Sequence, residues 1–375
     1  MSFGENPAVH EKTAHPTGSP ALQDRIAQAI DAAGGWLPFD RFMALALYAP
    51  GLGYYANAQP KFGAMPQQGS DFVTAPELSP LFGRTLAVQV AEALERTGTD
   101  EVWEFGAGTG ALAAQLLDSL GERVRRYTIV DLSGTLRARQ QARLAVHAGR
   151  VRWADALPDR IDGVLVGNEV LDAMPVRLLH RVGGQWHERG VALQAGALAW
   201  RDRPTALRPP VAIPGTHDYL TEIGPQAQAF VRTLAGHVAR GAALWIDYGF
   251  PEAEYYHPQR SAGTLMCHQA HRADADPLAD VGAKDITAHV DFSAVAVAAQ
   301  DAGWNVLGYA SQARFLINCG LPRFMQDAPL PQRAMAHRLI AEHEMGELFK
   351  VLALSRGVAP WDAVGFVQGD RSHTL

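Results

Sequence analysis

Cysteine is scarce in this 375-residue sequence, which contains only Cys267 and Cys319. Two thiols exclude the disulfide framework of small secreted domains and favour a reducing compartment, so we expect a cytoplasmic protein. Basic residues are also few, because 33 lysines and arginines face 39 aspartates and glutamates, for a net charge of −6. This balance argues against a nucleic acid as partner, since proteins that bind polyanions carry a basic stripe.

Long apolar runs are absent too, and no stretch reaches the roughly 18 residues that a membrane-spanning helix requires. We therefore expect no membrane span. Residues 1–20 contain Glu5 and Glu11 and have no apolar centre, which argues against a secretory signal and against an Arg-rich transit peptide. We predict that this segment is a disordered lead-in.

From residue 101 onward, short apolar runs alternate with stretches of helical periodicity. Seven runs are typical of strands, within residues 101–108, 127–133, 149–156, 162–169, 241–249, 304–310 and 349–357. The alternation predicts an α/β fold in which a parallel, Rossmann-like sheet carries helices on both faces. Seven strands match a class I methyltransferase better than a six-stranded dinucleotide-binding fold. Residues 176–222 and 310–346 interrupt the alternation, and the first of these insertions has the turn signals of antiparallel hairpins.

The stretch EFGAGTG, residues 104–110, is the strongest local motif. Gly106 and Gly108 allow a ligand to approach the backbone closely, and Gly110 allows the next helix to pack tightly on the sheet. The spacing G-x-G-x-G differs from the G-x-G-x-x-G that holds a pyrophosphate. Glu104 would repel a phosphate but can accept a hydrogen bond from the ammonium of an amino-acid ligand, such as that of S-adenosylmethionine. The alternative interpretation is an ordinary tight turn between a strand and a helix.

Two further acids follow the next two predicted strands. Asp131 lies about 25 residues after Gly106, near the distance at which an acid meets the ribose in nucleoside-binding folds. Asp155 is placed to accept from the exocyclic amine of an adenine. Either residue could instead cap a helix. Because the carboxyl ends of parallel strands meet at one edge of a sheet, Glu104, Asp131 and Asp155 together indicate a nucleoside site.

Several motifs resemble those of the MidA-type methyltransferases, which include a mitochondrial complex I assembly factor that methylates arginine. They occur in the same order over about residues 35–368 and read WEFGAGTGALA, VDLSGTLRARQ, GNEVLDAMPV, WIDYGF, GTLMCHQAHR, DITAHVDF and HEMGELFKVLAL. The resemblance implies a class I fold that binds S-adenosylmethionine as cofactor, with Gly106, Gly108 and Gly110 in its glycine loop. The sequence departs from the family at Asp131, where glutamate is expected, but the shorter acid can still reach a ribose.

The upstream segment of residues 71–79 is similar to the same family. The resemblance suggests that this segment, with Thr74, borders the cofactor or the substrate as a lid, while Ser79 before Pro80 also fits a helix cap. We therefore divide the chain into the lead-in of residues 1–20, a helical and loop segment of residues 21–97 that borders the site, and a methyltransferase core of residues 98–375.

The turn NEVLD follows the fourth predicted strand and would lie beside the reactive methyl group of the cofactor. We expect Glu169 to orient a guanidinium through paired hydrogen bonds and Asp172 to assist it. Asn168 would accept from an N–H group or hold the loop. The structural alternative is that Asn168 caps a helix, with both acids in the first turn of that helix.

These residues predict an S-adenosylmethionine-dependent methyltransferase that acts on an arginine side chain of a protein partner. The family resemblance implies a respiratory-complex subunit as such a partner. The rival functions are a non-catalytic assembly factor that keeps the cofactor-binding fold, and a nicotinamide-dependent oxidoreductase. A homodimer is a candidate oligomeric state. We expect no metal, because the histidines of CHQAH (267–271), His257 and His289 fit no zinc spacing. They are more typical of solvated or loop-structuring side chains in the Gly-, Asp- and His-rich connection of residues 253–287.

Overall fold

The structure, a computed structural model, describes residues 19–57, 73–131, 134–269 and 272–375. The lead-in predicted for residues 1–20 therefore lies outside the described residues, except for its last two. Among the described helices, none combines the length and the apolar character that crossing a membrane requires.

The described helices are α1 (Pro20–Ala32), α2 (Phe39–Tyr48), α3 (Ala75–Leu78), α4 (Pro80–Thr97), α5 (Ala111–Leu120), α6 (Gly134–Arg143), α7 (Pro225–His237), α8 (Glu252–Tyr255), α9 (Phe292–Asp301), α10 (Gln312–Asn318), α11 (Leu321–Gln326) and α12 (Leu330–Ile340). The described strands are β1 (Leu37–Pro38), β2 (Glu101–Phe105), β3 (Arg126–Val130), β4 (Val151–Ala154), β5 (Ile161–Asn168), β6 (Arg177–Val182), β7 (Gln185–Gln194), β8 (Ala197–Pro204), β9 (Tyr219–Ile223), β10 (Val238–Phe250), β11 (Met266–Gln269), β12 (Arg272–Asp274), β13 (Asp285–Thr287), β14 (Val290–Asp291), β15 (Asn305–Ser311) and β16 (Phe349–Arg356).

The central sheet has the strand order β15-β16-β10-β5-β2-β3-β4, and the short β14 pairs with the end of β10. Its seven main strands are the seven predicted ones, so the predicted class I architecture is confirmed. The strands from β10 to β4 are parallel, whereas β16 runs antiparallel to both β10 and β15. The expected parallel sheet is thus a mixed sheet. A strand that is buried on both faces has the same apolar pattern in either direction, and the sequence therefore carries no signal for the reversal.

The two faces of the central sheet pack against separate layers of helices. In β5, Val164 and Val166 belong to the apolar core that contains α4 and α5, whereas Leu165 belongs to the core that contains α7 and α9. Side chains alternate across a strand, so burial on both faces explains the unbroken apolar run of β5. This packing fixes the strands with the carboxyl ends of β2, β3, β4 and β5 at one edge.

Two smaller antiparallel sheets are built from the segments outside the α/β alternation. The strands β6 to β9, together with β1, form one of them, and its hairpins turn at Gly183-Gly184 and Gly196 as predicted. The helices α1 and α2 pack against this sheet. The strands β11 to β13 form the other, in a range that the sequence predicts to be a connection. Strands of three or four residues are too short to give a periodic pattern.

Candidate active site

A cavity of about 910 Å³ lies at the carboxyl edge of the central sheet. Nine of the ten predicted site residues line it: Thr74, Glu104, Gly106, Gly108, Asp131, Asp155, Asn168, Glu169 and Asp172. Gly110 does not, because it faces α6, where an added Cβ would lie 3.5 Å from Gln140 and from Leu144, the residue after this helix. Its place agrees with a role in helix packing rather than with a direct ligand contact.

The glycine loop between β2 and α5 has the left-handed backbone that its sequence suggests. Gly106, Gly108 and Gly110 have φ values of 64°, 53° and 82°. A Cβ added to Gly108 would meet no protein atom within 4 Å, although this residue lines the cavity. The loop therefore leaves room for a ligand directly against its backbone.

Gln140, on α6, fixes the glycine loop relative to the next two strands. Its buried amide nitrogen Nε2 donates to the Gly108 carbonyl oxygen and to Asp131 Oδ2, both at 2.9 Å. Its oxygen Oε1 accepts from Trp153 Nε1 at 2.8 Å. The sequence does not indicate this role, because a glutamine in the polar stretch LRARQQAR has no local feature that distinguishes it.

The two remaining predicted cofactor acids lie in contrasting environments. Glu104 is 2% exposed and accepts a 2.7 Å hydrogen bond from the Tyr127 hydroxyl. Burial raises the pKa of Glu104 to about 8, with a smaller contribution from the charge of Asp131, while the Tyr127 hydrogen bond opposes the rise. The Asp155 side chain is 83% exposed and pairs with Arg137, so it lies at the rim of the cavity.

The acidic turn after β5 is held by Asp247, a carboxylate of β10 whose role the sequence does not indicate. Asp247 Oδ2 accepts the backbone N–H groups of Val170, Leu171 and Asp172 at 3.1, 2.9 and 3.2 Å. No helix begins in this turn, and the helix-cap alternative for Asn168 is therefore wrong. Asp247 itself satisfies the N–H groups that a helix cap would otherwise serve.

Glu169 occupies a backbone conformation that non-glycine residues seldom adopt. Its φ is 54°, and its N–H group donates to the Ile246 carbonyl at 2.8 Å. A residue held in this region costs of order 1–3 kcal/mol, and such residues cluster at functional sites. The strained residue is held in place by hydrogen bonds to β10. Its own N–H group bonds Ile246, and the next three N–H groups bond Asp247.

Two oxygen atoms of this turn are buried without a hydrogen-bond partner. Asn168 donates through Nδ2 to Glu169 Oε1 at 2.9 Å, but its own Oδ1 has no donor, and neither has Asp172 Oδ1. The two residues are 8% and 5% exposed. Because a buried acceptor without a donor is unfavourable, both atoms indicate a ligand that brings N–H groups.

Several residues that line the cavity come from segments outside the seven main strands or from positions with no local signal. Tyr55 donates to Asp285 Oδ1 at 2.9 Å across 230 positions of sequence, and Tyr248 hydrogen-bonds the Asp172 carboxylate. His268 and His289 also line the cavity, a position that the sequence does not indicate. Burial lowers the pKa of His289 to about 4, which keeps its ring neutral. In the part of the chain that the structure describes, no cluster of His, Cys, Asp and Glu could hold a metal.

The described lining of the cavity is strongly acidic. It includes no lysine or arginine. Its seven carboxyl residues are Glu77, Glu104, Asp131, Asp155, Glu169, Asp172 and Asp285. Burial and the neighbouring Asp172 raise the pKa of Glu169 to about 8, and burial raises that of Asp172 to about 6. A cationic ligand would relieve both effects, whereas a pyrophosphate beside Glu169 and Asp172 would meet like charge.

The segment before α4 contacts both the glycine loop and the acidic turn. Glu77 accepts from Arg143 Nη1 at 2.7 Å and also from the hydroxyl of Thr109 in the glycine loop. The Ala75 N–H group donates to the Glu169 carboxylate. Ser79 accepts from the Leu81 N–H group at 3.3 Å, which confirms the predicted helix cap. Asp71 and Phe72, the beginning of the predicted lid, lie outside the described residues.

Replacing Asp247 by alanine is expected to lower the free energy of unfolding by about 3 kcal/mol, because three backbone N–H groups, one half-buried and two buried, lose their acceptor. Burial and the charges of Asp172 and Glu169 raise the pKa of Asp247 well above its usual value, and relief of this unfavourable environment offsets part of the effect. Urea unfolding of the wild type and of Asp247→Ala measures the difference. A change below about 0.5 kcal/mol would show that the turn does not depend on Asp247.

Known proteins resemble this chain over most of its length. A family profile described as "Putative S-adenosyl-L-methionine-dependent methyltransferase" matches residues 85–310. A crystal structure from Burkholderia thailandensis, bound to S-adenosyl-homocysteine, is 51% identical with a TM-score of 0.92 and covers 96% of this chain and 100% of that chain. The Caenorhabditis elegans "Protein arginine methyltransferase NDUFAF7 homolog, mitochondrial" is 28% identical over 92% of this chain and 88% of its own. The Danio rerio protein of the corresponding name is 27% identical over 89% and 86%.

The predicted cytoplasmic location is wrong by this comparison, because the relatives from Caenorhabditis elegans, Danio rerio and Mus musculus are named as mitochondrial proteins. The prediction rests on the scarcity of cysteine. Few cysteines argue against a fold that depends on disulfides, but they do not distinguish one reducing compartment from another.

Proposed function

This chain belongs to the S-adenosyl-L-methionine-dependent methyltransferase family whose profile matches residues 85–310, and from that premise we propose that it methylates the guanidinium group of an arginine side chain in a protein partner. The observation that carries the proposal is the acidic turn, where Glu169 and Asp172 border the cavity beside two buried oxygens that lack a donor. A guanidinium supplies both the positive charge and several N–H groups in one plane. The names of the curated relatives support the same acceptor.

S-Adenosylmethionine, when bound, supplies an electrophilic methyl group on a sulfonium. The residues at the sheet edge fit such a ligand, because Gly108 leaves open space and Glu104 is a buried carboxyl with no cationic partner among the described lining residues. We assign Gly106 and Gly108 to backbone approach and Glu104 to the ammonium group. Asp131 would hold the ribose hydroxyls.

At the rim, we assign Asp155 to the exocyclic amine of the adenine, where its exposed carboxylate pairs with Arg137. Thr74 lines the cavity at the amino end of α3, next to the Ala75 N–H group that bonds Glu169. We propose that Thr74 is part of a segment that covers the bound cofactor. The short α3 would then connect the cofactor half of the cavity with the acceptor half.

In the acceptor half, Glu169 would receive two N–H groups of the guanidinium and keep the attacking nitrogen aimed along the line of displacement. Asn168 holds Glu169 through Nδ2 and offers Oδ1 to a further N–H group. Asp172, positioned by Tyr248, adds negative charge beside the cation. Transfer would break the bond between the methyl group and the sulfonium sulfur as the C–N bond forms, with S-adenosyl-homocysteine as the leaving group. A carboxylate of this turn would then accept the extra proton on the nitrogen and pass it to water.

Methyl transfer is expected to increase with pH through about 8 and then to level off, because Glu169 must be ionised to hold a cation and burial raises its pKa to about 8. The measurement is kcat/KM for the acceptor at saturating cofactor, between about pH 6 and about pH 9.5, a range that brackets this pKa. A rate that is flat or falls over this range contradicts the role of Glu169.

The raised pKa of Glu169 also makes the free energy of unfolding depend on pH. Glu169 binds its proton more tightly in the folded chain, about 8 against an ordinary 4.5, so its ionisation lowers the free energy of unfolding as the pH rises from about 4.5 to about 8. Replacement by glutamine should reduce this slope, and this gives a check that does not depend on activity.

The proposed function is tested by incubating the purified protein with methyl-labelled S-adenosylmethionine and a lysate from a strain that lacks it. We expect label in at least one protein band, stable to mild base, since methyl esters hydrolyse under those conditions and methylated guanidinium does not. A respiratory-complex subunit is our candidate for that band. Cofactor binding without label in any protein would instead support a non-catalytic assembly factor.

A further inference from the structure

The acceptor half of the cavity has a wall that lies outside the seven main strands. Tyr48 belongs to α2, Tyr55 follows this helix, and Asp285 and Thr287 belong to β13. All four residues line the cavity. None of them takes part in the cofactor and acceptor contacts assigned above, which come from the glycine loop, the edge of the sheet and the acidic turn.

Hydrogen bonds and ring packing hold this wall together. Tyr55 donates to Asp285 Oδ1 at 2.9 Å, and the rings of Tyr48 and Tyr55 stack with centroids 5.6 Å apart and planes 19° apart. Tyr48 donates to the Ala173 carbonyl at 2.8 Å, next to Asp172 in the acidic turn. Both tyrosine hydroxyls thus have acceptors, and through them the wall is joined to the turn that carries Glu169.

Asp285, in this wall, interacts electrostatically with Glu169, in the acidic turn. Asp285 is 2% exposed. Burial is the main cause of the raised pKa of both tyrosines and of Glu169, and the charge of Asp285 adds to each of these rises. Three carboxyl groups therefore converge on one region whose described lining contains no lysine or arginine. The two unpartnered oxygens of Asn168 and Asp172, each more than nine-tenths buried, lie in the same region and indicate an N–H donor there.

We infer that Asp285 is a second anchor for the acceptor cation, and that the stacked Tyr48 and Tyr55 provide an aromatic wall for it. The inference rests on the proposed function, because it names the residues that select the acceptor. A planar guanidinium presents N–H groups on more than one edge, so separate carboxylates can each take an edge while an aromatic side chain covers the plane. A lysine ammonium offers neither the plane nor the separate edges, and we expect the wall to favour arginine.

The test measures binding of two probes in the presence of S-adenosyl-homocysteine by calorimetry. The probes are Nα-acetyl-arginine N-methylamide and its neutral isostere, Nα-acetyl-citrulline N-methylamide. The wild type is expected to bind the arginine probe at least about tenfold more tightly. Asp285→Asn is expected to weaken the arginine probe by about tenfold without changing the affinity for the citrulline probe or for S-adenosyl-homocysteine. Asp285→Glu should recover part of the loss.

Asp274→Asn serves as the matched control. Asp274 lies in the same small sheet, pairs with Lys284 and does not line the cavity, while its replacement changes the net charge by the same amount. Equal affinity of Asp285→Asn and the wild type for the arginine probe would overturn the inference, as would equal binding of both probes by the wild type. If the wild type selects the arginine probe through Asp285 but labels no arginine in the lysate, the inference stands and the proposed methylation fails.

Discussion

Glu169→Gln is expected to lower methyl transfer by at least about 100-fold while leaving the affinity for S-adenosyl-homocysteine unchanged. Glutamine has nearly the same shape and can still accept the hydrogen bond from Asn168, which is 2.9 Å long in the wild type. It carries no charge, however, and can neither hold the guanidinium through two charge-assisted bonds nor accept its proton. The variant therefore separates the chemistry of the acceptor from the binding of the cofactor.

The comparison requires single-turnover transfer of a labelled methyl group and a calorimetric titration with S-adenosyl-homocysteine. Glu122→Gln is the matched control, because Glu122 is exposed, does not line the cavity and loses the same charge. We expect the control to match the wild type in both measurements. Near-wild-type turnover of Glu169→Gln would mean that another group orients the acceptor.

Gly108→Val is expected to weaken S-adenosyl-homocysteine binding by about 100-fold, because the branched side chain would occupy the space that the loop leaves for the ligand. Gly108 has a φ of 53° and no protein atom within 4 Å of an added Cβ. Valine at this φ is also strained, and the variant must therefore be compared with one that carries the strain alone.

Gly183→Val provides this comparison. Gly183 has a φ of 55° and likewise no atom within 4 Å of an added Cβ, but it lies in the hairpin turn between β6 and β7, away from the cavity. We expect both variants to lose similar thermal stability, whereas only Gly108→Val loses affinity for the ligand. Undiminished affinity of Gly108→Val would exclude the glycine loop from the cofactor site.

The features that the sequence predicts well are those whose signal is local. Strands β2, β3 and β5 are mostly apolar stretches followed by glycine or acid, and a parallel sheet brings such ends together. That rule alone predicts that Glu104, Asp131, Asp155 and Glu169 surround one cavity, and all four line it. The helix-cap alternative for Asn168 is plausible from the sequence because a capping residue and an active-site amide have the same local pattern.

The features that escape prediction depend on contacts between distant segments. Tyr55 meets Asp285 across 230 positions, and Asp247 holds a turn about 75 residues before it in the sequence. Gln140 has no special neighbours in the sequence, yet it contacts Gly108 and Asp131. Each of these partners is decided by the packing of inserted segments or helices on the sheet, and periodicity and spacing do not report such packing.

The most direct test of arginine methylation is the identity of the labelled residue. A protein labelled by the wild type is digested, and the peptides are analysed by mass spectrometry, with the reaction of Glu169→Gln as the control. We predict a methyl group on a guanidinium nitrogen of arginine, and no such peptide from the variant. A methyl group on lysine, on a carboxyl group or on a hydroxyl would contradict the proposal that the acidic turn of Asn168, Glu169 and Asp172 recognises a guanidinium.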